Sequence, residues 1–240
     1  MIKINNLYKK YNDCVAVNNL SLEIYDNELF ALLGVNGAGK TTTIKMLSCL
    51  LSPTSGDATV NGFSILKEQN KIKNIIGLSP QETSIARNLT VKENLMFYGE
   101  IFGLEKDALS KRVNEIIEMF KLSKYENKKA KVLSGGTKRK LSIGMALVSK
   151  PQILFLDEPT LGLDVISRHE LWDIIQELKK DTTIILTTHY LEEAEHLSDR
   201  IGIMFEGNLI ALGTANELKE KTKENTFEKA FIQLVKEKQI

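Results

Sequence analysis

A glycine-rich stretch, Gly34-Val35-Asn36-Gly37-Ala38-Gly39-Lys40-Thr41, decides the fold. An apolar run at residues 29–33 precedes it, and a helical pattern over residues 40–51 follows it. The spacing G-x-x-x-x-G-K-T is that of a loop whose backbone N–H groups converge on phosphate oxygens at a helix N-terminus. We therefore predict a nucleoside triphosphate site, in which Lys40 reaches the β- and γ-phosphates and the Thr41 hydroxyl ligates Mg²⁺.

A second apolar run, residues 153–156, ends in two acidic residues, Asp157 and Glu158. A buried strand of this kind delivers a carboxylate to the edge of an α/β sheet where ligands bind. We expect Asp157 to hold Mg²⁺ and Glu158 to act as general base on the attacking water. An isolated Asp-Glu pair would more simply be two solvated acids, but the buried run and the glycine-rich loop favour catalysis.

Short apolar runs alternate with helical patterns along the chain, which is typical of α/β proteins. The predicted strands are residues 19–25, 29–33, 58–60, 75–78, 153–156 and 183–186, followed by a hairpin of residues 201–205 and 209–212. The predicted helices of the middle segment are residues 91–102, 106–120 and 135–149. We predict an α/β fold with a P-loop NTPase core of mostly parallel sheet plus antiparallel elements. This ATP-binding core would take residues 1–88 and 151–215, an inserted helical subdomain 89–150, and a C-terminal helical extension 216–240.

The composition restricts the class of protein. The 240 residues include 32 basic and 31 acidic side chains, and this balance argues against a dedicated nucleic-acid binder. Cys14 and Cys49 lie far apart and indicate no disulfide framework. The sequence has neither a signal-peptide pattern nor an apolar run near the roughly 18 residues of a membrane span. We expect a cytoplasmic chain that reaches a membrane only through a partner.

The most specific motif, Leu133-Ser134-Gly135-Gly136-Thr137, lies at the start of the third predicted helix. This motif resembles the signature of ATP-binding cassette (ABC) ATPases. Further landmarks of that family follow the family order: Tyr11, Gln81 in residues 79–82, the D-loop at residues 161–164, and His189. The resemblance extends from about residue 2 to residue 215. A P-loop GTPase or kinase would leave the signature unexplained.

The resemblance implies a role for each landmark. Tyr11 would stack on adenine, Gln81 would ligate Mg²⁺ or the water, and His189 would donate a hydrogen bond to the γ-phosphate. Taken alone, Gln81 would be an ordinary loop glutamine and Tyr11 an exposed aromatic. The expected nucleotide-binding residues are Tyr11, Gly34, Asn36, Gly37, Ala38, Gly39, Lys40, Thr41, Thr42, Ser134, Gly135, Gly136 and Asp164. The expected catalytic residues are Lys40, Gln81, Glu158 and His189, and the expected Mg²⁺ ligands are Thr41, Gln81 and Asp157.

The resemblance also implies partners. Ser134 and the amides after it would face the γ-phosphate bound by a second subunit, in a homo- or heterodimer that sandwiches two ATP molecules. Glu158 and His189 are both present, so each site of a homodimer should be competent. Thr137 replaces the usual glutamine of the signature, and Val35 stands where proline is common. We expect Thr137 to tune the site rather than to abolish it.

Three segments, residues 88–95, 136–143 and 226–231, resemble exporter ATPases of the multidrug, antibiotic-resistance and sodium-efflux type. Those ATPases work with a separately encoded integral membrane permease. We therefore expect the ATPase subunit of an exporter, lying on the inner face of the cell membrane through its permease. The alternative is a soluble ABC ATPase without a transport role, for example in iron–sulfur cluster assembly.

Residues 121–140 form a basic stretch with eight basic residues and one acidic residue, Glu126. The basic residues are Lys121, Lys124, Lys128, Lys129, Lys131, Lys138, Arg139 and Lys140. Such a stretch is suited to anionic lipid headgroups or to an acidic permease loop. It is equally suited to be a solvated lysine-rich face, and the sequence leaves both interpretations open.

Overall fold

A computed structural model describes residues 1–239 of the chain. The chain folds as two compact units: Met1–Lys73 together with the residues from Thr183 onward, and Asn74–Thr182. The second unit contains the helices of residues 89–150 together with strands on either side of them. The sequence-based division into an ATP-binding core, a helical subdomain and an extension stays a prediction.

Strands and helices follow one another along the whole described chain. The strands are β1 (Ile2–Tyr11), β2 (Cys14–Ile24), β3 (Leu29–Gly34), β4 (Ser55–Val60), β5 (Phe63–Ser64), β6 (Ile76–Ser79), β7 (Ile153–Asp157), β8 (Thr183–Thr188), β9 (Arg200–Phe205) and β10 (Asn208–Gly213). The α-helices are α1 (Lys40–Leu47), α2 (Gln69–Lys73), α3 (Val91–Ile101), α4 (Lys106–Met119), α5 (Gly135–Leu147), α6 (Val165–Leu178), α7 (Leu191–Leu197), α8 (Ala215–Thr222) and α9 (Phe227–Gln239).

The first unit combines two sets of strands. In one set, β2, β1, β4 and β5 pair in that order and are all antiparallel. In the other, β3 lies between β8 and β9 and runs parallel to both, while β10 pairs antiparallel with β9. Every residue of β3 and β8 is buried, which explains why both were recognisable as apolar runs.

Strand β1 was not predicted from the sequence, and its irregular register explains why. Its pairing with β2 shifts between Ile4 and Leu7, and Asn6 adopts a φ of 48°. The buried residues Ile2, Ile4 and Leu7 therefore lack the strict alternation that identifies a half-buried strand.

The second unit packs helices against the parallel pair β6 and β7. Helix α5 approaches β6 very closely, because a Cβ on Gly77 would lie 2.3 Å from the carbonyl oxygen of Ala146. The Ser79 and Ser142 hydroxyls form a buried hydrogen bond of 3.0 Å between the same two elements. Helix α5 is therefore held firmly against the end of β6.

A buried ion pair stabilises the first unit and supports a prediction. Arg200 Nη1 lies 3.0 Å from Glu28 Oε1, and the backbone N–H of Tyr25 donates to Glu28 at 2.7 Å. Replacing Glu28 with Gln leaves the half-buried guanidinium without its carboxylate. We expect the free energy of unfolding to fall by about 2 kcal/mol in urea denaturation. The matched control is Glu23→Gln in the exposed Lys3–Glu23 pair, where the expected loss is below about 0.5 kcal/mol. Equal losses in the two variants would contradict this account.

None of the helices in the described part of the chain combines the length and the apolar character that a membrane span requires.

Candidate active site

The phosphate-binding loop lies between β3 and α1 in the first unit. Gly37 and Gly39 have φ values of 83° and 102°, which side chains rarely allow, so the loop curls tightly. The buried Lys40 ammonium donates hydrogen bonds to the carbonyl oxygens of Gly34 at 2.7 Å and Val35 at 3.2 Å. The loop is thus wrapped around a positive charge, at the first turn of a helix, which is the arrangement that favours phosphate.

Neighbouring backbone of the first unit fixes the shape of this loop. A Cβ on Gly39 would lie 2.3 Å from the carbonyl oxygen of Ala16 in β2. The turn between β9 and β10 adds a bond, since the Gly207 N–H donates to the Ala38 carbonyl at 3.2 Å. Asn18 in turn donates its N–H to the Gly207 carbonyl at 2.8 Å. Position 39 therefore requires glycine for two reasons: the Ala16 backbone lies too close for a side chain, and the turn needs a positive φ.

The parallel register of β3 and β8 places His189 beside the loop. Leu33 lies opposite Thr188, so His189 follows β8 at the edge where the loop begins after β3. The His189 ring is half-buried and lies 4.2 Å from the Tyr190 ring. The first unit thus brings the loop and His189 together. Tyr11 ends β1 with 45% of its surface exposed, and its stacking on adenine stays a prediction.

Asp157 is the last residue of β7 in the second unit, Glu158 follows it directly, and both are buried. Glu158 has a φ of 49°, in the left-handed region that non-glycine residues rarely adopt. This conformation costs about 1 kcal/mol or more, and such strain is concentrated at functional sites. The strand therefore delivers two carboxylates to one place, the second of them on a strained backbone.

Arg139, on α5, ties this backbone to the segment that contains Gln81. Its guanidinium donates to five carbonyl oxygens: Pro80 (2.6 Å), Gln81 (3.4 Å), Asp157 (2.6 Å), Glu158 and Pro159 (2.8 Å). The Arg139 side chain is buried. The second unit thus gathers the backbones of Gln81, Asp157 and Glu158 around one cation, whereas the Gln81 residue itself is exposed.

The signature motif forms the N-terminus of α5. The Ser134 Oγ accepts a hydrogen bond from the Thr137 N–H at 3.3 Å and lies 2.9 Å from the Thr137 hydroxyl. A Cβ on Gly135 would meet open space, and the first turn has no acidic residue. This helix end is accessible and keeps the positive end of its dipole, so it suits an anion. The Thr137 side chain is buried, and its hydroxyl supports the Ser134 cap by hydrogen bonding to the Ser134 hydroxyl.

The D-loop residue Asp164 caps α6 in the same unit. Its carboxylate accepts hydrogen bonds from the Ser167 N–H at 2.9 Å and the Ser167 hydroxyl at 2.7 Å. These bonds hold the pKa of Asp164 below its usual value. A Cβ on Gly136 would lie 3.3 Å from the Ser167 Oγ, so the second unit brings the signature and the D-loop together.

Comparison with known proteins identifies the family. A family model for the ABC transporter matches residues 17–161. Over 219 residues, the chain is 43% identical to the linearmycin resistance ATP-binding protein LnrL of Bacillus subtilis (strain 168), an overlap of 91% of this chain and 70% of that protein. The chain belongs to the ABC transporter family.

Other ABC proteins are similar over nearly the whole chain. Phospholipid-transporting ATPase ABCA3 of Homo sapiens is 44% identical over 224 residues, but the chain spans only 13% of that relative's length. The dimeric, post-hydrolysis structure of the ATP-binding cassette MJ0796 with ADP and Pi has a TM-score of 0.82 at 26% identity, covering 89% of this chain and 98% of that one. The structure of cbiO1 from Clostridium perfringens, part of the ABC transporter complex cbiONQ, has a TM-score of 0.84 at 28% identity. It covers 92% of this chain and 91% of that one. The predicted α/β P-loop fold is confirmed.

The basic stretch of this ABC cassette is not one uniform surface. Arg139 is buried, and Lys140 forms an ion pair of 2.6 Å with Glu170. Lys124 and Lys128 lie 5.0 and 5.2 Å from the centre of the Tyr125 ring. Sequence reasoning missed the role of Arg139 because a lysine flanks it on each side, so the residue looked like one more solvated charge.

The residues expected to hold Mg²⁺ offer suitable donors. A hydroxyl (Thr41), an amide (Gln81) and a carboxylate (Asp157) are hard oxygen ligands of the kind that Mg²⁺ takes. Among the described residues, no group of three or more His, Cys, Asp or Glu side chains could hold a metal unaided.

Proposed function

We propose that this chain is the ATP-binding and hydrolysing subunit of an ABC transporter that works with a separate membrane permease. The observation that carries the proposal is the accessible, Ser134-capped end of α5 in a chain that also has a complete phosphate-binding loop. One chain thus offers two different anion-binding elements. This is what a dimer needs if each ATP is to be bound by one subunit and covered by the other.

Binding of ATP would use the predicted residues in separate roles. The loop amides and Lys40 bind the β- and γ-phosphates, and Tyr11 stacks on the adenine ring. Thr41, Gln81 and Asp157 would hold Mg²⁺, which would supply positive charge to neutralise the phosphates. His189 donates a hydrogen bond to the γ-phosphate.

Hydrolysis would then proceed by in-line attack of water on the γ-phosphorus. Glu158 accepts a proton from the attacking water as the new P–O bond forms, and the bond to the β-phosphate oxygen breaks to release ADP. Lys40 stabilises the negative charge that builds up on the phosphate oxygens. The Ser134 hydroxyl and the amides of Gly135 and Gly136 do the same from the second subunit.

The comparisons support a dimer coupled to a membrane complex. MJ0796 is a dimeric cassette bound to ADP and Pi, and cbiO1 is part of the complex cbiONQ. LnrL is a resistance ATP-binding protein and ABCA3 a phospholipid-transporting ATPase. We infer export of a compound selected by the permease, with this chain on the cytoplasmic face of the membrane.

An exposed apolar pair on α3 allows a test of whether this chain forms a complex with a membrane permease. Phe97 and Ile101 lie one helical turn apart and expose 51% and 63% of their surfaces. We infer that the permease packs on these two side chains. We expect the tagged chain, produced together with its permease, to be extracted from membranes as a complex. Ile101→Glu should reduce co-purification severely, because it would place a charge in that apolar contact. The matched control is Ile232→Glu on α9, which is 44% exposed and should have no effect. Recovery with soluble partners alone would favour the iron–sulfur type of function.

A further inference from the structure

The position of Arg139 on α5 sets it apart from the neighbouring lysines. It lies little more than one turn after the signature serine, and its side chain points into the second unit and is buried. The helix that carries it is fixed on β6 by the Gly77–Ala146 approach and by the Ser79–Ser142 hydrogen bond. The guanidinium is therefore held at a defined place relative to the end of β6.

The bonds of Arg139 join two separate segments of backbone. On one side Nη1 donates to Pro80 and Gln81, and on the other Nη2 and Nε donate to residues 157–159. A planar guanidinium with its five N–H groups can span both segments at once. The lysine ammonium is a compact point charge with three donors, so lysine could not reproduce this arrangement.

Two of these bonds act directly on the conformation of Glu158. The carbonyl groups of Asp157 and Glu158 belong to the peptide planes on either side of the Glu158 Cα, and both accept from Nη2. The orientations of these two planes define φ and ψ of Glu158. Because φ is 49°, a conformation that a glutamate does not favour, this backbone needs external support to keep its side chain in one direction.

We propose that Arg139 is a positioning residue that sets the direction of the Glu158 carboxylate, the general base. Through the same bonds it links Glu158 to the signature helix and to the Gln81 segment. The inference rests on the proposed function, since it assigns a supporting role within the same site. Arg139 bonds the backbone rather than the reacting atoms, and it acts through Glu158. Any displacement of α5 would therefore change the direction of the Glu158 carboxylate.

Steady-state kinetics of Arg139→Lys and Arg139→Met tests this role. A misdirected base lowers kcat, and a displacement near 1 Å can cost about 100-fold, so we expect at least a tenfold loss in both variants. The dissociation constant of a non-hydrolysable ATP analogue should stay within about twofold, since the phosphate-binding loop is untouched. The matched control is Lys138→Met on the same helix, which removes a neighbouring positive charge but none of the bonds to residues 80–81 and 157–159, and it should leave kcat within about twofold.

A double-mutant cycle with Glu158→Gln separates positioning from a purely structural role. If Arg139 acts through Glu158, adding Arg139→Lys to Glu158→Gln should not lower the residual rate further, because the base is already lost. A structural role would lower the rate by the same factor in both backgrounds, and that result would overturn the proposal, as would a kcat of Arg139→Lys equal to wild type. Wild-type protein without ATPase activity would instead overturn the proposed function, and this role with it.

Discussion

Glu158→Gln is expected to remove most ATP hydrolysis while leaving ATP binding unchanged. Glutamine has nearly the same size and can occupy the same buried position, but it cannot accept the proton of the attacking water. Loss of a general base typically costs about 10²- to 10⁴-fold in rate. Phosphate release and the dissociation constant for ATP, measured on the same preparation, test both halves of this expectation.

The same variant tests the sandwich dimer. Because ATP persists in the site, Glu158→Gln with MgATP should change from monomer to dimer in light scattering, whereas ADP should leave it monomeric. Glu82→Gln is the matched control, since Glu82 is exposed and lies beside Gln81 in the sequence; it should hydrolyse ATP at the wild-type rate. Near-wild-type turnover by Glu158→Gln would refute its assignment as base, and a monomer saturated with ATP would argue against the sandwich.

Gly39→Ala is expected to have the second large effect, a severe loss of ATP affinity. The φ of 102° at Gly39 disfavours any side chain, and a Cβ there would lie 2.3 Å from the Ala16 carbonyl oxygen, which is backbone and cannot rotate away. The loop or β2 must shift, and a strain of about 3 kcal/mol would correspond to an affinity loss of about 100-fold. Isothermal titration with ATP measures it directly.

Gly37→Ala is the matched control for the close approach. Gly37 also has a positive φ, 83°, but a Cβ there would have no atom within 4 Å. This variant has only the conformational cost of about 1–2 kcal/mol, so it should bind ATP more tightly than Gly39→Ala. If the two variants lost affinity equally, the contact with Ala16 would not be the reason for glycine at position 39.

Strands with a simple burial pattern could be predicted from the sequence, and irregular ones could not. The runs that became β3, β7 and β8 are buried along their whole length, so an unbroken apolar stretch identified each of them. Strand β1 shifts register around Asn6, and helices α6 and α7 were not predicted. The buried apolar residues of α6 recur at helical spacing, so the sequence carried a signal for this helix that was overlooked: Leu171, Trp172, Ile174, Ile175 and Leu178. Helix α7 has only seven residues, too few to show a clear period.

The residues of the candidate site also fall into two groups: those that the sequence could predict and those that only the structure revealed. Lys40, Asp157 and Glu158 stand in short local motifs whose spacing reflects the chemistry, so the sequence was enough to propose them. Arg139 acts on carbonyl groups at residues 80–81 and 157–159, and nothing in the local sequence indicates which backbone it will meet. The Thr137 substitution likewise became understandable only when its hydroxyl was found beside Ser134.

The sequence by itself determined the glycine-rich loop, the acidic strand end and the signature, because each is a contiguous pattern that a few backbone dihedrals turn directly into a binding element. Only the tertiary structure decided which glycines lie against backbone and which basic residue is buried. It also decided that the proposed base stands on a left-handed backbone held by an arginine. The physical reason is that these properties depend on distances between segments far apart along the chain, and packing sets those distances.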